Sequence, residues 1–144
     1  MLLRKANLVD CEWVYNTLEE LRFPVTYTLL QFENYYKSCL NNENFCFYIF
    51  SDGNNKVGLV SLNKFKMPRY LGFGYEIEEF VIDKFHRGKG YSYQMIEAVK
   101  ILVQEDKLVR KLIIKSNGDD SKHIYAKALK QTDLVSFQIY INKL

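Results

Sequence analysis

Paired cysteines, long apolar runs and a surplus of one charge are all missing from this chain, and each absence closes a class of protein. Cys11, Cys39 and Cys46 are odd in number and show no Cys-x-x-Cys spacing. Neither a disulfide scaffold nor a metal centre is expected, and the thiols read as buried and free in a reducing compartment. No segment approaches the roughly eighteen consecutive apolar residues of a membrane span. Met1-Leu2-Leu3-Arg4-Lys5 opens no apolar stretch ending in a small-residue cleavage site. A soluble, cytoplasmic protein with no membrane partner is therefore expected. Net charge is only +3, with Lys and Arg interleaved with Asp and Glu, so no basic face marks a nucleic-acid partner.

What is present is core material. The chain has 144 residues, 48% of them hydrophobic and 15% aromatic, enough for one core in a single domain spanning residues 1–144. No linker, repeat or low-complexity stretch divides it. Leu2 to Lys5 reads as a strand, after which Asn7 can cap a helix running through Arg22, with Trp13, Val14, Leu18 and Leu21 at helical spacing. Pro24 stops that helix. Thr28 can cap a second, in which Leu29, Phe32, Tyr36 and Leu40 form the apolar stripe. Phe45 to Phe50 and Val57 to Phe65 read as a hairpin around Ser51-Asp52-Gly53-Asn54-Asn55. A looser stretch, Lys66 to Gly74, leads to a strand from Tyr75 to Asp83, whose consecutive Phe80, Val81 and Ile82 predict burial on both faces. Tyr91 to Asp106 follows as a helix, Leu112 to Ile114 as a strand, a helix from Asn117 to about Lys130, and a half-buried strand through Val135, Phe137, Ile139 and Ile141. The order predicts a mixed α/β domain.

The chemistry is carried by Phe80-Val81-Ile82-Asp83-Lys84-Phe85-His86-Arg87-Gly88-Lys89-Gly90-Tyr91-Ser92, a strand feeding a helix through a basic turn with two glycines. A helix start offers unpaired N–H groups and partial positive charge, and glycines let a ligand approach the backbone, so the turn can cradle a pyrophosphate. Neither the G-x-x-x-x-G-K-[ST] nor the G-x-G-x-x-G phosphate loop is present.

The same segment resembles the signature of the GNAT superfamily, R/Q-x-x-G-x-G/A, matching it at Arg87 and Gly90 with Ser92 in the last small position. The likeness extends over nearly the whole chain: Leu3-Arg4-Lys5-Ala6-Asn7 with Asp10 resembles the family's opening, and Ile77-Glu78-Glu79-Phe80-Val81-Ile82-Asp83 its acidic fourth strand. Ser121-Lys122-His123-Ile124-Tyr125 resembles its A-x-x-F-Y. The Gly-Phe that usually follows that Tyr is replaced by Ala126-Lys127. The resemblance implies a central, mostly antiparallel twisted sheet with helices on both faces. It further implies acetyl-coenzyme A as cosubstrate and an N-acetyltransferase acting on a primary amine, in the manner of the small-molecule enzymes of the family. Arg87, Gly88, Lys89, Gly90, Tyr91 and Ser92 would hold the pyrophosphate, backbone at Phe80, Val81 and Ile82 the pantetheine arm, and Asn117 is a further candidate.

Attack by an amine of pKa near ~10.4 requires a base, and the departing thiolate requires an acid. The resemblance makes Glu78 the base and Tyr125 the acid, and Glu76 is second to Glu78 because it shares its strand face. Strict strand alternation would put Glu76 and Glu78 on one face and Glu79 on the other. The acceptor is expected among Leu21, Arg22, Phe23, Tyr27 and the Lys66 to Gly74 loop. A homodimer is left open. Two other readings compete: a non-catalytic acyl-coenzyme A sensor or interaction module of the same fold, and a nucleic-acid binder using Lys84, His86, Arg87 and Lys89. The latter lacks a stacking-aromatic pattern.

Overall fold

The computed structural model describes residues 2–21, 26–115, 124–125 and 127–130. Strand β1 is Leu2–Lys5, followed by a 3-10 turn over Leu8–Asp10 that runs directly into helix α1, Cys11–Glu19. Asn7 starts this unit as its side chain suggests, with Oδ1 accepting from the Val9 N–H at 3.0 Å. Asp10 answers by accepting from the Asn7 N–H at 2.9 Å. Thr28 and Gln31 form the same reciprocal box, at 3.2 and 2.8 Å, and open helix α2, Leu29–Leu40.

Strands β2 (Phe45–Asp52) and β3 (Asn55–Met67) form the expected hairpin, and β4 covers Gly72–Ile82. Sequence composition suggested a loose Lys66 to Gly74, but pairing continues through Lys66↔Phe73 and Met67↔Gly72. The connection shrinks to Pro68–Leu71. Gly74 reads as a loop residue yet sits inside the strand because a Cβ there would strike the Phe65 ring. Helix α3 is Tyr91–Gln104 and β5 is Val109–Ile114. The segment expected as a final strand, Val135 to Ile141, and Asn117 lie outside the described residues.

The sheet order is β1-β2-β3-β4-β5, antiparallel throughout except for the parallel β4–β5 pair. On one face, α1 and α2 pack Val14, Phe32 and Tyr36 against Phe47, Ile49, Leu59 and Val81. On the other, α3 packs Met95, Ile96 and Val99 against Phe50, Val57, Val60, Ile77 and Ile82. Val81 and Ile82 thus enter opposite cores, which explains the uninterrupted apolar run. Each fully buried aliphatic side chain contributes about 1.5–3 kcal/mol.

The first core carries one buried charge. Asp10, 2% exposed, binds Arg4 through both oxygens at 2.8 and 2.9 Å and Lys56 at 2.8 Å. The Arg4 hydrogen bonds, more than any other contact, hold its carboxyl well below the usual carboxylate range. Cys11 and Cys39 are buried free thiols, and Cys46 is free and half-buried; burial pushes all three up. Among the described residues there is no cluster of potential metal ligands, and no helix is long and apolar enough to cross a membrane.

Candidate active site

The turn after β4 is built by its own side chains. Asp83 accepts from the Phe85 N–H at 2.9 Å and its carbonyl from the His86 N–H at 2.8 Å, giving one 3-10 turn over Lys84–His86. Gly88 and Gly90 then take left-handed φ of 75° and 79°, a conformation that costs other residues about 1–2 kcal/mol. Gly90 is also the N-cap of α3 and offers no side-chain acceptor to the helix's first N–H groups. Those donors face a cleft of about 310 Å³.

Six of the ten residues expected to hold the coenzyme line this cleft: Ile82, Arg87, Gly88, Gly90, Tyr91 and Ser92. Lys89 is exposed and outside the lining. Val81 turns its side chain into the α1/α2 core, and Phe80 turns to the opposite face, so each offers only backbone to an adjacent ligand. Asn117 falls outside the described residues. His86, Tyr93, Ile124 and Lys127 complete the wall. Lys127 carries no motif signal, since it stands where the family pattern ends.

Strand β4 changes character halfway. Val60 pairs with Phe80 and Leu62 with Ile77, so two residue steps along β3 match three along β4. The surplus residue makes a bulge at Glu78–Glu79. Ser61, fully buried opposite it, accepts the Glu79 N–H through Oγ at 2.9 Å. Pairing with β5 ends at Ile77↔Ile114. Among the described residues, Glu78–Val81 therefore has a strand partner on its β3 side alone, and the Ile82 carbonyl is taken by Arg87 Nε at 3.1 Å.

The bulge corrects the expected faces. Ile77, Phe80 and Ile82 all belong to the α3-side core, a three-residue step where strict alternation demands two. Glu79, the bulge residue next to Phe80, goes instead to the side of Val81 and the helices α1 and α2. Glu79 shares that face with Glu76, and Glu78 stands exposed in the bulge itself. Glu76 is ion-paired to Lys115 at 3.0 Å. Glu79 is half-buried, and burial first, then the Glu78 charge, raises its pKa. It lies close enough to Tyr27 for its charge to help raise that phenol, after burial and Tyr15.

Tyr125 arrives from beyond β5 and sets its ring edge-on to Phe80, with centroids 5.6 Å apart, at the open edge of β4. The chain around it is helical at 124–125 and 127–128, with the Leu129 N–H donating to the Tyr125 carbonyl at 2.7 Å. Lys100 on α3 holds this turn by donating to the Ala128 carbonyl at 2.8 Å. Of the expected acceptor residues, Leu21 and Tyr27 are on the α1–α2 side, while Arg22 and Phe23 lie outside the described residues. The Pro68–Leu71 connection sits at the opposite end of β4 from the glycine turn, roughly 25 Å along the strand from Glu79 at about 3.3 Å per residue.

An uncapped helix start behind two left-handed glycines and an open strand edge leading away from it match the two ends of coenzyme A: a diphosphate and an extended amide-bearing arm. The sequence model of the Acetyltransferase (GNAT) family matches residues 11–130, and the chain belongs to that family. Its class is that of acyl-coenzyme-A-dependent N-acetyltransferases. Among curated proteins none matches the chain. A transcriptional regulator from Bacillus halodurans C-125 has the same fold, with TM-score 0.84 at 14% identity over 97% of this chain and 99% of that one. So does a ribosomal-protein-alanine N-acetyltransferase from Brucella melitensis biovar Abortus 2308, at TM-score 0.80, 17% identity, and 98% and 100% coverage. Glucosamine-6-phosphate N-acetyltransferase from Arabidopsis thaliana gives TM-score 0.79 and 17% identity, covering 98% of each chain.

Proposed function

We propose that this enzyme transfers an acetyl group from acetyl-coenzyme A to the primary amine of a small cationic molecule, at the junction of the β4 bulge and the glycine turn. The observation that carries the reading is the Glu78–Val81 edge, without a strand partner beyond β3 among the described residues, running into the Gly88–Gly90 turn. Backbone at Phe80, Val81 and Ile82 would pair with the pantetheine arm, and the N–H groups from Gly88 to Ser92 would hold the diphosphate. When bound, the cosubstrate supplies a thioester carbonyl open to attack.

The remaining steps belong to side chains. An ammonium with a pKa near ~10.4 must lose a proton before attack, and a carboxylate of raised proton affinity is better matched to that task than an ordinary one. Glu79 has that affinity, and it faces the α1–α2 side, where Tyr15 and Tyr27 lie. We assign it the proton, directly or through water. Glu78, which family resemblance puts first, adds exposed negative charge that draws a cationic acceptor. Tyr125, on the coenzyme side of the strand, donates to the departing thiolate. The neighbours' own names cover a sugar phosphate and a ribosomal protein, so the fold does not choose the acceptor. Three carboxylates on four consecutive residues of one strand favour a cation.

The test is free-thiol release from acetyl-coenzyme A across a panel of polyamines, amino sugars, amino acids and amino-terminal peptides. Release that depends on a cationic small amine supports the reading. Release only with peptides moves the acceptor class to protein. Coenzyme binding without release from any amine favours the sensor.

A further inference from the structure

We propose that Glu20 is a positioning residue for the coenzyme turn, acting through Arg87 to hold the diphosphate donors in place before the ligand arrives. The inference rests on the reading of that turn as the diphosphate site. Glu20 stands at the C-cap of α1, where the helix dipole disfavours a carboxylate. Its side chain is nonetheless only 14% exposed. The partners that explain it are far away in sequence and both belong to the turn. Oε1 accepts from the Lys84 N–H at 3.3 Å, and Oε2 from the Arg87 guanidinium at 2.5 Å. Arg87 in turn donates from Nε to the Ile82 carbonyl at 3.1 Å. One carboxylate therefore grips the turn just after β4 and again just before Gly88, and the guanidinium ties the second grip to the last residue of the strand.

Packing does not do this work. Nothing lies within 4 Å of where a Cβ would project at Gly88 or Gly90. Two left-handed glycines with open space on their Cβ side have many accessible conformations, so the polar ties on their N-terminal side narrow the set. A ligand that meets a preformed turn loses less to ordering it. Arg87 is 55% exposed, and an ion pair in that setting contributes little to global stability. Its effect should appear in coenzyme affinity rather than in folding. The signature Arg then serves as a brace, with Nε committed to Ile82 and one terminal nitrogen to Glu20.

The experiment is calorimetric titration of coenzyme A into wild type, Glu20→Gln, Glu20→Ala, Arg87→Ala and the Glu20→Ala/Arg87→Ala double variant, with kcat and KM for each. Glu20→Ala should weaken binding roughly tenfold, within the range for coupled contacts, and raise KM for acetyl-coenzyme A while kcat at saturation stays within about twofold. Glu20→Gln, which keeps the shape and an acceptor for the Lys84 N–H, should fall between it and wild type and guards against a folding defect in the alanine variant. The double variant should bind no more weakly than Arg87→Ala alone. Wild-type affinity in both Glu20 variants, or multiplied losses in the double variant, would overturn the proposal. A wild type that binds no coenzyme A would instead sink the coenzyme reading, and this inference with it.

Discussion

Half-burial next to Glu78 makes Glu79 harder to ionise than a surface glutamate. If it is the base, the acid limb of kcat/KM lies above the ordinary carboxylate value of about 4.3, with activity rising as pH passes through the raised pKa. Glu79→Gln should remove that limb and slow turnover by the ~10² to 10⁴ of a lost general base, whereas Glu78→Gln should chiefly raise KM for a cationic amine. The reverse pattern would return the proton to Glu78. Tyr125→Phe keeps the ring against Phe80 and removes only the hydroxyl, so kcat should fall with coenzyme affinity unchanged; equal turnover would assign the thiolate's proton to water. Asp10 supplies a prediction about stability. Its folded pKa is depressed, so its contribution is complete above the unfolded value near ~3.9 and is lost as pH falls toward the folded one. Asp10→Asn leaves Arg4 and Lys56, each about a third exposed, without their shared carboxylate and should cost about 1–3 kcal/mol in denaturant unfolding at neutral pH.

At the scale of elements, the turn was legible and the bulge was not. Gly88 and Gly90 declare themselves because residue identity and backbone conformation are coupled there: a left-handed φ before a helix start is a glycine position. Gly90→Val forces a β-branched residue into that conformation and should reduce stabilisation by coenzyme A at least tenfold in affinity, with the apo protein still folded because the site is open to solvent. Full affinity in that variant would dissociate the turn from the coenzyme. The bulge leaves no such mark. Glu76, Glu78 and Glu79 are equally plausible in a regular strand, and only the pairing across to β3, with Ser61 receiving the displaced N–H, fixes where the extra residue falls. The Glu20 brace was hidden for the same reason, since 67 residues separate it from Arg87.

Over the whole molecule, the cap signals at Asn7 and Thr28 and the period of each amphipathic helix placed α1, α2 and α3 to within a few residues. The antiparallel order β2-β3-β4 follows from short connections, whereas β1 pairs with β2 although residues 6–44, with α1 and α2, lie between them. The looser stretch expected at Lys66 to Gly74 is instead mostly strand, and Gly74 serves a ring lying over the strand rather than a loop. The two cores matter to function through β4: Val81 anchors it to α1 and α2 and Ile82 to α3, and just before those anchors, among the described residues, its outer edge has no strand partner. The measurement that tests this most directly is amide hydrogen exchange with and without coenzyme A. The account predicts new protection concentrated at 78–82 and 88–92, with β1 and β2 unchanged. Protection confined to any other part of the molecule, with those two segments exchanging as in the apo protein, would contradict it.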